Sequence, residues 1–85
     1  MQAVVSQAAV DAAFNIAVDR YEAGDLGGAM DVLRLLATVA PSDEGVWRAL
    51  ARCHDELEQP EVADFLRSLS TTIAELDPHD AGSIL

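Results

Sequence analysis

Apolar positions recur at helical spacing from about Val4 to Ala23. Val10, Phe14, Ala17 and Tyr21 fall on one side of such a helix, and Asp11, Asn15, Asp19 and Glu22 on another. The alanine-rich composition of this stretch favours a helix. Gly24 closes it as a C′ residue, because glycine takes a positive φ without a Cβ clash. Asp25 is placed to cap a second helix, from Leu26 to about Ala40. That helix has a wide apolar face of Leu26, Ala29, Met30, Leu33, Leu36, Ala37 and Ala40. Its polar face is narrow and holds Asp31, Arg34 and Thr38. Gly27 and Gly28 weaken its first turn, and their small size is expected to admit a close neighbour.

Pro41 stops the second helix, and Ser42 or Asp43 caps a third. Val46, Trp47, Leu50, Ala51 and Leu57 are expected to face inward, with Arg48, Arg52 and Asp55 on a polar stripe. Glu58-Gln59-Pro60-Glu61 then turns the chain into a fourth helix, where Pro60 suits N1 because an amide there would have no intrahelical partner. Val62, Ala63, Leu66, Leu69, Ile73 and Leu76 are expected inward, and Asp64, Ser68, Thr71 and Glu75 outward. Asp77-Pro78 ends the element and leaves 79–85 as a short C-terminal tail. The fold class is therefore all-α, with about four antiparallel helices.

An internal period organises these helices. Shifting the chain by thirty-four residues lays Ile16 on Leu50, Ala17 on Ala51, Ala29 on Ala63, Val32 on Leu66, Leu35 on Leu69 and Val39 on Ile73. Ala13 falls on Trp47. Similar residues thus recur where paired helices are expected to touch, and the two alanine pairs are the sharpest signal, since a small residue lets helix backbones approach. Pro41 finds its counterpart in Pro78 three residues late, so the fourth helix is expected to carry about one extra turn. One domain over 1–78 follows, with repeats at about 10–41 and 44–78.

Two helices per thirty-four residues, with Ala17, Tyr21, Gly24-Asp25, Ala29 and Pro41 in the first unit and Trp47, Leu50, Ala51, Ala63 and Leu76-Asp77-Pro78 in the second, resemble the tetratricopeptide repeat (TPR) family. The second unit departs from the pattern, with Glu58 at the turn glycine and His54 near the missing tyrosine. A narrower resemblance rests on Ala13-Phe14-Asn15-Ile16-Ala17, Tyr21-Glu22-Ala23-Gly24, Ala29, Leu33, Pro41-Ser42-Asp43, Trp47 and Leu50-Ala51-Arg52-Cys53. These look like the small TPR chaperones of bacterial type III secretion, which hold needle or translocator subunits in the cytosol before export. The resemblance implies a protein client, a bacterial cytoplasmic location, and a concave groove lined by the first helix of each repeat. In this chain the groove would receive Phe14, Val18 and Tyr21, then Arg48, Arg52 and Asp55. Beside that stands a plainer reading, with Phe14 and Tyr21 as core and Arg48 and Arg52 as a solvated stripe paired to nearby acids. Trp47 is read as packing between the repeats, with an interface anchor as the competing role. A general TPR adaptor or assembly subunit is the alternative function.

Charge narrows the partners. The 85 residues carry a net charge of −10, and the five basic residues are all arginine. A nucleic-acid binder needs a basic face to neutralise phosphate, and an anionic bilayer repels this chain. The opening Met1-Gln2-Ala3-Val4-Val5 has no basic n-region and is soon followed by Ser6, Gln7 and Asp11, unlike a signal peptide. The single cysteine, Cys53, cannot form an intramolecular disulfide, and it suits a reducing compartment. Cys53 and His54 are adjacent, so on a helix they point about 100° apart, and structural zinc needs four ligands. No Ser/His/Asp or Cys/His set stands at useful helical spacing. No catalytic residue, metal or cofactor is therefore expected. Two repeats are fewer than such arrays usually need, and the fourth helix has no successor to cover it. The sequence accordingly predicts self-association or an obligate protein partner such as a co-chaperone.

Overall fold

A computed structural model describes residues 6–76. It contains four helices: α1 (Gln7–Glu22), α2 (Leu26–Val39), α3 (Glu44–Glu56) and α4 (Pro60–Glu75). The chain divides into two compact units at the Pro41–Ser42 junction. Each is a helical hairpin, α1 packed on α2 and α3 packed on α4. The protein is therefore all-α. The 79–85 tail and the expected Asp77-Pro78 stop lie outside the described residues, as do Val4 and Val5.

In the first hairpin, Ser6 caps α1 by accepting a hydrogen bond from the Ala9 amide at 3.1 Å. The described helix begins at Gln7. Gly24 ends the helix at φ +86°, as its position requires. Asp25 caps α2, accepting from the Gly28 amide at 2.9 Å. Gly27 and Gly28 do not admit a neighbouring helix. A Cβ on Gly28 would sit 2.3 Å from Oδ2 of Asp25, so the missing side chain makes room for the cap itself, and nothing lies within 4 Å at Gly27. Val10 and Ala17 of α1 are buried, together with Ala29, Met30, Leu33 and Leu36 of α2.

The second hairpin repeats this plan with different chemistry. Asp43 caps α3 through the Gly45 amide, and Pro60 opens α4 at N1. Val46, Leu50, Ala51 and Cys53 of α3 are buried, with Ala63, Leu66 and Ser70 of α4. Thirty-four residues after Gly24, Glu58 takes φ +58°. The period is thus visible in the backbone even where the glycine is lost. The expected effects are opposite in sign. Gly24→Ala should destabilise by about 1 kcal/mol, because the left-handed conformation costs about 1–2 kcal/mol for a side chain and reduced unfolded-state entropy returns part of it. Glu58→Gly should be neutral to stabilising by up to about 1 kcal/mol for the same reasons. Thermal melts followed by circular dichroism read both, and matching signs would contradict the shared turn.

The alanine pairs hold: Ala17, Ala51, Ala29 and Ala63 are all buried. Other matched positions do not. Leu35 is 64% exposed and Val39 is also exposed, so neither lies at a helix contact, and Ile16 is exposed while its counterpart Leu50 is buried. Leu57 was expected inward but is exposed as the α3 C-cap, beyond the last turn whose face is covered. Val62 of α4 and Leu76 at its C-cap, both expected inward, are 41% and 75% exposed. The buried face of α4 is centred on Ala63, Leu66 and Ser70, which turns those two side chains toward solvent. The helix is two residues longer than α2, about half a turn rather than one.

Candidate functional site

Ion pairs and caps fix the polar side chains of each hairpin. In the first, Arg20 reaches from the last turn of α1 to Asp25 at 3.2 Å. The carboxyl of Asp25 is held below its ordinary pKa, first by the Gly28 amide it accepts from and then by the Arg20 guanidinium. A lowered folded-state value means the stabilisation is fully present above the ordinary aspartate range and is lost as pH falls through the lowered value. Asp25→Asn, which can still accept from the Gly28 amide, should therefore flatten part of the loss of thermal stability on acidification. Melts of both chains across that pH range test this, and an unchanged acid dependence would remove Asp25 from the account.

Phe14, Val18 and Tyr21 share one flank of α1, at spacings of four and three residues. Phe14 and Tyr21 are half-buried, and Val18 is exposed. All three thus offer surface, though the two aromatics also contribute to packing. Arg48, Arg52 and Asp55 occupy the equivalent flank of α3 and are exposed. Arg48 is ion-paired to Glu44 one turn earlier. Asp55 is paired across the hairpin to Arg67 of α4, which also contacts Asp64 at 3.2 Å. Arg67 had no assigned role in the sequence. The two triplets belong to separate compact units.

Glu44, Arg48, Arg67, Ser70, Thr71, Ala74 and Glu75 line an open cleft of about 460 Å³ in the second hairpin. Ser70 is buried there, and its hydroxyl donates to the Glu44 backbone carbonyl at 3.0 Å, with Oε1 of Glu44 at 3.2 Å. That contact ties the C-terminal half of α4 to the first turn of α3. Both arginines of the cleft are engaged with carboxylates, so the cleft presents balanced charge rather than a basic pocket. Cys53 is a buried free thiol, and His54 Nδ1 lies 2.6 Å from Oε1 of Gln59 across the turn. Among the described residues no three His, Cys, Asp or Glu side chains gather as a metal-holding group, and no helix is long and apolar enough to cross a membrane.

The most exposed apolar surface is on α4. Val62, Phe65 and Leu69, with Leu76 at the C-cap, form a row at spacings of three, four and seven residues. Phe65 is 64% exposed and Leu69 is half-buried. Phe65 was absent from both the inward and the outward sets drawn from the sequence. The signal for it was the number of apolar residues on α4, which is more than one face toward α3 can cover. Val62, Ala63, Phe65, Leu66, Leu69, Ile73 and Leu76 span an arc of roughly 160° around the helix axis.

In comparisons with protein-family models, curated proteins and solved structures, the chain has no significant match.

Proposed function

We propose that the chain is a protein-binding module that covers an apolar segment of another protein, as a chaperone or co-chaperone does. The carrying observation is the row of Val62, Phe65, Leu69 and Leu76, left open along α4. Burying a side chain of the phenylalanine or leucine kind is worth about 1.5–3 kcal/mol. A small helical domain has only a few kcal/mol of stability in hand. Leaving Phe65 and Leu76 in water therefore forgoes an energy comparable with the whole stability, which a partner can supply. A helix laid along an open helical face is one of the recurring modes of peptide recognition.

The narrower reading, a chaperone holding a type III secretion needle or translocator subunit in the bacterial cytoplasm, rests on the sequence resemblance. The broader alternative, a TPR adaptor outside secretion, uses the same surface. Co-purification of the tagged chain from its own cells, with mass spectrometry, tests the proposal when run beside Phe65→Ser. A defined protein should come with the native chain and be lost with the variant, while the helical circular dichroism signal of both stays equal. An identical set of proteins on both chains would count against this surface as the binding site.

A further inference from the structure

The open row of α4 has an asymmetric border. At about 100° per residue, Phe65, Leu76, Leu69 and Val62 lie within an arc of roughly 60°. The core face of Leu66 and Ser70 adjoins one side of that arc. The other side carries Thr72, Glu61, Ser68 and Glu75, all exposed. This border holds two carboxylates and two hydroxyls and no cation. The one basic residue of α4, Arg67, stands roughly 170° away from the centre of the row and is engaged with Asp55 and Asp64.

From this we infer that the occupant of the row is an amphipathic helix whose apolar stripe is flanked by lysine or arginine. The inference rests on the protein-binding reading above and names the chemistry of the partner. Charge complementarity decides between occupants. A second copy of this chain, seated through the same row, brings Glu61 and Glu75 against an equally acidic border, within a chain of net charge −10. Like charges brought together across an interface cost binding energy, and opposite charges speed association and fix the partner's orientation. A helix with basic flanks meets the apolar row and its acidic border at once.

The test uses the full chain and two fluorescein-labelled amphipathic peptides with the same leucine stripe. One carries lysine on its flanks and the other glutamate. By fluorescence anisotropy the lysine peptide should bind at least about tenfold tighter, and added salt should weaken it. Phe65→Ser should abolish its binding with the helical signal retained, since that side chain is mostly in solvent. Glu61→Lys with Glu75→Lys should erase the preference for the lysine peptide. Asp19→Lys with Asp31→Lys, which changes net charge equally on the other hairpin, should preserve it. Loss of preference in both double variants would mean bulk charge attraction and overturn the inference. Equal affinity for the two peptides, still lost in Phe65→Ser, would overturn the basic-flank assignment and leave the protein-binding reading standing. A dimer in sedimentation that Phe65→Ser dissociates would assign the row to a second copy instead. No binding of either peptide by a monomeric chain would count against both readings.

Discussion

Ala29→Leu is expected to destabilise the first hairpin by about 1–3 kcal/mol, the usual cost of overpacking a well-filled contact. Ala29 is completely buried, as is Ala63 thirty-four residues later. Each sits one turn inside its helix, near the turn of its hairpin, where the chain has just reversed and the backbones are still close. A leucine there must push the helices apart or abandon its rotamer. Against a total stability of about 3–5 kcal/mol for a lone core of this size, the loss should be large. Thermal and urea unfolding followed by circular dichroism would register it, and Ala63→Leu should act alike on the second hairpin. A variant with native stability would mean that Ala29 does not set the helix separation.

Leu50→Ala should cost about 2–5 kcal/mol, the range for removing a buried leucine side chain and leaving a cavity. Its repeat counterpart, Ile16→Ala, should fall within about 0.5 kcal/mol, as surface substitutions usually do. Leu50 is 5% exposed and Ile16 is 49% exposed, though a shift of thirty-four residues superposes them in the sequence. Parallel urea titrations would separate the two. Comparable losses at both sites would show that Ile16 is buried in solution.

That pair marks how far the fold is legible in the residues. Gly24, Asp25, Asp43 and Pro60 announce their helix ends by local chemistry, a positive φ, two side-chain caps and a missing amide. Local chemistry does not depend on what lies across the hairpin, so those positions were readable. The buried alanines were readable because the repeat doubled their signal. Which apolar residues of α4 face α3 was not readable. With seven apolar side chains around the helix, the spacing allows two overlapping faces, and only packing chooses between them. Ser70 won a buried place through its hydrogen bond to the Glu44 carbonyl, and Val62 and Leu76 lost theirs. A serine that donates to a backbone carbonyl across a hairpin leaves no trace in a hydrophobic pattern.

The candidate binding residues divide in the same way. Phe14, Val18 and Tyr21 follow from spacing on α1 and do present surface there. Arg48 and Asp55 fall in the groove that the resemblance implies, yet each is engaged within its own hairpin, Arg48 by Glu44 and Asp55 by Arg67. Such exposed pairs are worth little, about 0–1 kcal/mol, and a partner can compete for them. Phe65 needs no such exchange, because its ring is already in solvent.

The most direct test of the open α4 row is a titration of the isotopically labelled full chain with the lysine-flanked peptide, followed by amide and methyl NMR shifts. The proposal expects the largest changes at Val62, Phe65, Leu69 and Leu76, with little at Phe14, Val18 and Tyr21. Changes centred on α1, with α4 unmoved, would contradict it and return the binding surface to the first hairpin.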